Sequence, residues 1–291
     1  MTPTGTQAAS SSRLTASVVA AELARLTPRD RLLLDLLDQH QTFSTEQVVT
    51  LAFGSVGRAR NRLNTLHGRD ILDRFRLFHR PGSQSWRWTL GPVGAAIVAA
   101  GRGDAMPRPA AVRDTTARLA MSPRLNHLLA TNGFFVALTG HARTHIRSGT
   151  RLARWWNEQR CRDATGNLVR PDGHGVWVTG GRAVPFWLEM DLGTEALQRV
   201  ADKLTGYAAL GPRRAYPVLF WLPTAAREAN LHALWSRTGI PDGVVVATGA
   251  DDYAAANGGP GAVVWRCPGD PARVTLADVP ATTGDGAAWD A

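Results

Sequence analysis

Three carboxylate residues in the second half of the chain have the type and spacing of a metal site. Glu189 and Asp191 lie in an apolar stretch that predicts a strand, and Asp172 lies in the preceding predicted strand. Alternation places Glu189 and Asp191 on one face, and acids inside apolar strands are costly to bury unless they are paired or metal-bound. Carboxylates from neighbouring strands favour a hard cation, so we predict Mg²⁺ or Mn²⁺ at these three residues. Glu158, in an earlier predicted strand, is a weaker candidate.

A helix predicted after these strands adds a cationic candidate. Lys203 and Tyr207 lie one turn apart on one face of this helix, and Lys203 is the single lysine among 33 basic residues. A compact ammonium fits beside carboxylates or a phosphate better than a planar guanidinium does. A divalent cation there would generate hydroxide and stabilise a pentavalent phosphate. The three carboxylates and Lys203 are therefore the candidate catalytic residues, the alternative being a surface lysine beside acids of edge strands.

A second set of residues is basic and indicates nucleic acid. On the helix predicted for residues 56–67, Ala59, Leu63 and Leu66 form the buried stripe, which leaves arginine and asparagine for the outer faces. Arginine reads guanine, asparagine reads adenine, and both reach phosphates, so we predict double-stranded DNA as the partner. A winged-helix module that binds protein is the alternative. The candidate DNA-binding residues are Arg58, Arg60, Asn61, Arg62 and Asn64 on the helix, and Arg74, Arg76, Arg80 and Arg87 on the segment after it.

The elements that position these basic residues follow a recognisable order. Thr27-Pro28 predicts the start of a first helix, and Ser44-Thr45-Glu46-Gln47 is a capping-box pattern for a short second one. Alternating residues on either side of Pro81-Gly82-Ser83 predict a β-hairpin after the third helix. Three helices and a basic hairpin are the order of a winged helix-turn-helix domain. The buried stripe predicted for the first helix is Leu32, Leu33, Leu36 and Leu37.

The second half of the chain is predicted to have the order α-β-β-β-α-β-α-β. A long helix over residues 123–147 precedes three strands, and Lys203 lies on the helix that follows them. His127, His141 and His145 lie on the long helix without the glutamate of an H-E-x-x-H motif, so we interpret them as surface or packing residues. The predicted strands are 152–161, 168–178, 184–192, 216–222, 243–248 and 261–267, and the later helices are 195–210 and 224–238.

This order, with Pro171-Asp172 followed by Glu189-x-Asp191, resembles the PD-(D/E)xK nuclease fold. More narrowly, a winged helix followed by Pro171-Asp172, by the segment 189–195 (EMDLGTE) and by Lys203-Leu204-x-x-Tyr207 resembles the replication-relaxation family over about residues 25–250. The resemblance implies a role in plasmid replication and in the loss of DNA supercoiling through a nick. It also implies Asp172 and Glu189 as metal ligands.

The chain departs from the nuclease motif at one position. The motif lysine, expected two residues after the acid, is Asp191 here, and Lys203 on the next helix is its natural replacement. The resulting fold prediction is α/β (α+β), with a PD-(D/E)xK-like αβββαβ domain after the winged helix. The predicted parts are a disordered tail (1–24), a winged helix DNA-binding domain (25–103), a linker (104–121), the nuclease-like domain (122–267) and a flexible C-terminal tail (268–291).

Charge distribution, apolar content and cysteine count limit the classes of protein to which this chain could belong. The net charge of +9 is uneven, because residues 1–160 hold 22 Arg against 10 acids, whereas the remainder sums to −3. A basic first half favours nucleic acid, although a general preference for arginine would also produce it. No apolar run approaches the length of a membrane span, no secretory signal pattern is present, and two cysteines are too few for a disulfide scaffold. We therefore expect a cytoplasmic protein without membrane contact.

The predicted function combines these features. We expect a DNA-binding protein of a plasmid or mobile element, acting at an origin, with metal-dependent nicking by the second domain. The alternative is a non-enzymatic winged-helix regulator whose inactive nuclease-like domain serves oligomerisation, with a homodimer as one such assembly. Tyr207 as the nucleophile of a tyrosine relaxase is disfavoured, because the histidine triad of H-x-H type is absent.

Overall fold

A computed structural model describes residues 14–76, 84–211 and 214–280 of the chain. Within those ranges lie eleven α-helices and two sheets, of three and seven strands, so the mixed α/β class is confirmed. The described residues divide into two units, one within residues 1–45 and 55–122 and one within residues 46–54 and 123–291. In the described part of the chain, no helix combines the length and apolarity needed to cross a membrane.

The elements before residue 123 are mainly helices around a small antiparallel sheet of strand order β1-β3-β2. The helix α3 lies between elements of the first unit in sequence but groups with the second unit. There the Gln47 side chain donates to the Leu129 carbonyl at 3.1 Å. The elements are α1 (Ala16–Ala24), α2 (Pro28–His40), β1 (Phe43–Ser44), α3 (Thr45–Ala52), α4 (Val56–Gly68), β2 (Leu72–Phe75), β3 (Arg87–Leu90), α5 (Pro92–Arg102) and α6 (Pro109–Ala120).

Local sequence explains where the helices of the first unit begin and which faces they bury. Thr27 caps α2 in a capping box with Asp30, and Ser55 caps α4 by accepting from the Arg58 backbone N–H. The stripe predicted for α4 is confirmed, because Ala59, Leu63 and Leu66 are fully buried. Helix–sheet packing is close at Gly94 of α5, where an added Cβ would lie 2.1 Å from the Ile71 carbonyl oxygen.

Three predictions for this part of the chain are wrong in detail. Residues 16–24 of the predicted tail form α1, since Val19 is buried and Thr15 caps the helix. Residues 109–120 of the predicted linker form α6, which begins with Pro109 in its first turn. On α2, Leu32 is 48% exposed and Leu34 is buried instead. A run of adjacent leucines fits two overlapping stripes, and packing against the rest of the unit selects one.

The second unit is built on a seven-stranded sheet of order β10-β9-β8-β7-β6-β5-β4. Strands β4, β5 and β6 pair antiparallel, whereas β6, β7 and β8 pair parallel through helical crossovers. The elements are α7 (Leu125–Thr144), β4 (Arg151–Asn157), α8 (Glu158–Ala164), β5 (Gly173–Thr179), β6 (Arg182–Met190), α9 (Leu197–Ala208), β7 (Val218–Leu222), α10 (Ala225–Thr238), β8 (Val246–Ala250), α11 (Asp251–Ala256), β9 (Trp265–Arg266) and β10 (Arg273–Val274).

Alternate residues of this sheet enter two separate cores. One core takes Phe186 and Leu188 of β6 together with Phe134 and Phe135 of α7. The other core takes Trp187 of β6 with residues of α9 and α10. Successive residues of β6 therefore pack into opposite cores, one on each face of the sheet.

Two predictions for the second unit are corrected by its packing. The first strand does not run to residue 161, because Asn157 caps a helix and Glu158 begins α8. The C-terminal tail does not begin at residue 268, since β10 pairs with β9 and Leu276 and Val279 are fully buried. Arg273 fixes this segment by pairing with Glu228 of α10, which is 1% exposed. The remainder of the predicted tail, residues 281–291, lies outside the described residues.

Candidate functional site

The basic side chains of α4 divide into an exposed set and one structural residue. Arg58, Arg60, Asn61 and Asn64 are exposed. Arg62 is different, because its Nε and Nη2 donate to the two carboxylate oxygens of Asp30 at 2.9 and 2.5 Å. The pair ties α4 to the capping box of α2.

The hairpin after α4 carries arginines against tryptophan. The guanidinium carbons of Arg74 and Arg76 lie 4.2 and 4.6 Å from the centre of the Trp86 ring, and Arg74 also donates to Asn64 at 2.9 Å. Such stacking restrains the guanidinium groups without using their N–H groups. Arg80 lies outside the described residues.

In the second unit, Asp172 and Glu189 lie side by side on one face of the sheet. His174 of β5 pairs with Trp187 of β6, and the Asp172 backbone N–H donates to the Leu188 carbonyl at 2.9 Å. Asp172 lies two residues before His174 and Glu189 two residues after Trp187, so in antiparallel strands the two carboxylates are neighbours.

Glu189 is buried between two donors from α9. Lys203 Nζ donates to Glu189 Oε2 at 2.8 Å and the Tyr207 hydroxyl donates to Oε1 at 2.5 Å, while the glutamate is 4% exposed. Burial, and after it the charge of Asp172, raises the pKa of Glu189 to about 7 against the opposing effect of Lys203 and Tyr207. Burial lowers the pKa of Lys203, but the Glu189 carboxylate outweighs this effect and raises that pKa above its ordinary value. The i, i+4 spacing of Lys203 and Tyr207 lets both reach one carboxylate.

Asp172 has a partner that the sequence did not indicate. His127 Nε2 of α7 lies 2.7 Å from Asp172 Oδ1, and the Met190 backbone N–H donates to Oδ2 at 2.8 Å. The hydrogen bond to Asp172 raises the pKa of His127 above its ordinary value. The interpretation of His127 as a surface or packing residue is wrong, because its ring is bound to a site carboxylate. A contact across 45 residues leaves no mark in the local sequence.

Asp191 and Glu158 do not join these two carboxylates. The Arg227 side chain donates to both oxygens of Asp191, at 2.5 and 3.2 Å, and the Gly193 backbone N–H donates to Oδ1 at 2.7 Å. Glu158 is bound by Arg124 at 2.8 Å. Within residues 14–76, 84–211 and 214–280, no group of three or more His, Cys, Asp or Glu side chains is arranged to hold a metal ion. The structure thus brings together Asp172, Glu189 and Lys203 of the four candidate catalytic residues.

Comparison with known proteins gives one match. A family model described as replication-relaxation matches residues 34–217, which is more than half of the chain. The chain belongs to the replication-relaxation family. Membership indicates a role in replication and relaxation, and the matched region contains α4, Asp172, Glu189 and Lys203. No curated protein and no solved structure matches the chain.

In this replication-relaxation protein, the side chains around Asp172 and Glu189 form one cluster that could bind a divalent cation. The buried Glu189 carboxylate is bound by Lys203 and Tyr207, and the half-buried Asp172 carboxylate beside it is bound by His127. Burial is the main cause of the raised pKa of Glu189 and the charge of Asp172 is the second, so a divalent cation between the two carboxylates would relieve their repulsion. Asp172 and Glu189 could both be ligands of such a cation. Asp191 could not in this arrangement, because its carboxylate is paired with Arg227.

Proposed function

We propose that this replication-relaxation protein binds duplex DNA through α4 and the β2–β3 hairpin and nicks one strand at the cluster of Asp172, Glu189 and Lys203. The observation that carries the proposal is the position of Lys203 Nζ, 2.8 Å from the buried Glu189 carboxylate beside Asp172. The target is an origin of a plasmid or mobile element, as the resemblance implies.

The element order of the second unit supports a PD-(D/E)xK-like interpretation. A helix (α7), three antiparallel strands (β4–β6), a helix (α9) and a parallel strand (β7) follow one another, apart from the short α8 inserted after β4. Asp172 immediately precedes the second strand, Glu189 lies on the third strand and Lys203 lies on the following helix. Lys203 therefore occupies a place from which it can approach a phosphate while remaining tied to Glu189.

The three cluster residues have distinct roles in this proposal. Lys203 neutralises charge that develops on the phosphate and orients the attacking water. Asp172 and Glu189 would hold Mg²⁺ or Mn²⁺, which supplies charge neutralisation and a more acidic bound water. Tyr207 and His127 fix the orientation of the two carboxylates through their hydrogen bonds.

The chain order α2, α3, α4 and then the paired strands β2 and β3 supports a winged-helix interpretation. Exposed arginines and asparagines lie along α4, and the β2–β3 hairpin adds two arginines that stack on Trp86. Positive charge that contacts phosphates produces binding that weakens steeply as salt rises.

A non-enzymatic regulator is the second candidate function. The observation in its favour is that each predicted acid already has a basic partner: Asp172 contacts His127, Glu189 contacts Lys203 and Asp191 contacts Arg227. A cluster satisfied in this way stabilises the fold without needing a metal. In that case the second unit would serve DNA contact or assembly, for example as a homodimer.

Nicking of supercoiled plasmid DNA in the presence of Mg²⁺ or Mn²⁺ separates the two candidates. The wild-type protein should convert supercoiled to open-circular DNA, and Glu189→Gln and Lys203→Ala should each reduce the rate at least about 100-fold, as loss of a charged transition-state contact does. The matched control is Glu195→Gln, because Glu195 also faces Lys203, at 3.7 Å, but is exposed. Equal nicking by wild type and Glu189→Gln, or none by either, would favour the regulator.

A further inference from the structure

The edge strand of the second unit presents a basic and aromatic surface on the face that carries Glu189. Trp156 of β4 pairs with His174 of β5, which pairs with Trp187 of β6. Arg154 is two residues from Trp156 and so lies on the same face. Glu189 is two residues from Trp187, about 7 Å along the strand. The row formed by Trp156, His174 and Trp187 and the row formed by Asp172 and Glu189 are therefore adjacent on one face of the sheet.

Two guanidinium groups flank one indole on this surface. The guanidinium carbons of Arg154 and Arg160 lie 5.0 and 5.1 Å from the centre of the Trp156 ring. Trp156 is itself packed against the His174 ring, with centroids 4.6 Å apart. A rigid aromatic side chain thereby limits the motion of two long, flexible cations, which lowers the entropy lost when they bind a ligand.

Charge is concentrated along this stretch of chain. Residues 151–170 contain five arginines and two acids. Residues 123–291 contain 17 basic and 15 acidic residues, so the net positive charge of these residues comes mainly from the β4–α8 stretch. Its ligand is therefore expected to be anionic and extended along the edge of the sheet.

The helix α8 connects this surface to the acidic cluster electrostatically. Cys161 follows Arg160 on α8, and burial, then the charges of Asp172, Glu158 and Glu189, raises the pKa of its thiol. The charge of Arg160 acts on the same thiol in the opposite sense. The Arg160 guanidinium and the two site carboxylates therefore all lie near enough to Cys161 to influence its thiol.

We propose that Arg154, Trp156 and Arg160 form a surface that binds the sugar–phosphate backbone of the DNA strand entering the Asp172–Glu189–Lys203 cluster. This inference rests on the proposed function and adds to it the path of the substrate. The two guanidinium groups bind consecutive phosphates, and Trp156 holds the guanidinium groups in register. The strand then continues along the sheet face and brings a phosphodiester to Lys203. The β4–α8 surface is consequently a second DNA contact, separate in the chain from α4 and the hairpin.

The test uses the full-length protein and a labelled duplex, with affinity measured from 50 to 200 mM salt. Arg154→Gln/Arg160→Gln should lose two phosphate contacts, so the slope of log affinity against log salt should fall by about 1.8. Over that range the wild type should then lose about twelve-fold more affinity than the double variant. Arg154→Lys/Arg160→Lys keeps the charges and should retain most of the slope, which separates phosphate binding from loss of packing. The matched control is Arg147→Gln/Arg237→Gln, two exposed arginines of the same unit.

The outcomes distinguish this surface from the proposed function. A reduced slope and slower nicking in the Gln variant, with normal values in the Lys variant and the control, would support the surface. A wild-type slope in the Gln variant would overturn the surface and leave the proposed function standing. DNA binding without nicking by the wild type would remove the cleavage step, while the slopes would still decide the surface. No DNA binding by the wild type would overturn both.

Discussion

Arg62→Ala is expected to destabilise the fold of the first unit, although Arg62 lies on the helix proposed to read DNA. The Asp30 carboxylate is 1% exposed and accepts hydrogen bonds from Arg62 and from the Thr27 hydroxyl and backbone N–H. Burial alone would raise the pKa of Asp30, but the bonds from Arg62 and Thr27 hold that pKa below its ordinary value. Asp30 therefore stays charged in the folded protein, and removal of Arg62 leaves a buried charge that has lost its cation.

The size of the effect follows from this burial. Removing one member of a buried ion pair costs about 3–5 kcal/mol of unfolding free energy. The Arg62 side chain is 27% exposed, so water moderates the loss and we expect the lower end, about 3 kcal/mol. Because about 1 kcal/mol shifts the melting temperature of a unit of this size by about 4–8 °C, its transition should fall by about 12–24 °C.

Thermal unfolding followed by circular dichroism measures this shift in the full-length protein. The matched control is Arg60→Ala, at an exposed position on the same helix, which should change the free energy of unfolding by less than about 0.5 kcal/mol. Arg60→Ala should instead weaken duplex binding and reduce its salt dependence. If Arg62→Ala and Arg60→Ala melted at the same temperature, the Asp30–Arg62 pair would not stabilise the unit and the reasoning would be refuted.

Two further predictions concern stability. Burial lowers the pKa of His174 from 6.5 to about 3, so the unfolded chain takes up the proton first and stability is lost as pH falls from about 6.5 towards 3. Urea unfolding should show that the free energy of unfolding of the wild type falls between pH 7.5 and pH 5. In His174→Gln this fall should be smaller by about 2 kcal/mol. The control is the exposed His145→Gln, and an unchanged loss in His174→Gln would contradict the assignment. Gly94→Ala should cost about 3 kcal/mol, because its Cβ would meet the Ile71 carbonyl oxygen at 2.1 Å. Gly101→Ala on the same helix has nothing within 4 Å and should stabilise by up to about 1 kcal/mol. Equal melting temperatures for these two glycine variants would refute the close approach.

Helical periodicity and apolar runs in the sequence predict the elements whose burial depends on neighbouring residues. The buried stripe of α4 follows from its helical period, and the strands carrying Glu189 and Trp221 follow from continuous apolar runs. The predicted end of β4 is wrong, because the cap provided by Asn157 is a weaker signal than the Trp155-Trp156 pair before it. Alternation predicts one face for Glu189 and Asp191, but it does not reveal that Asp191 pairs with Arg227 of α10, 36 residues away.

Tertiary contacts explain the remaining differences. Lys203 stood out by composition, since a single lysine among arginines is visible in the sequence. His127 did not, because its bond to Asp172 depends on how α7 lies against the end of the sheet. The helices α1 and α6 are rich in alanine and other small residues, and each buries a single residue, Val19 in α1 and Thr116 in α6.

The strand order of the second unit has a practical consequence for working with fragments of this protein. The family match ends at residue 217, immediately before β7, which lies between β6 and β8 at the middle of the sheet. A fragment ending there would leave the backbone groups of residues 187–190 without the strand to which they hydrogen-bond, as an open and apolar edge. Such an edge recruits other chains, so expression of the matched region alone should yield aggregate. A soluble fragment of this unit must continue through Val279, whose side chain is fully buried.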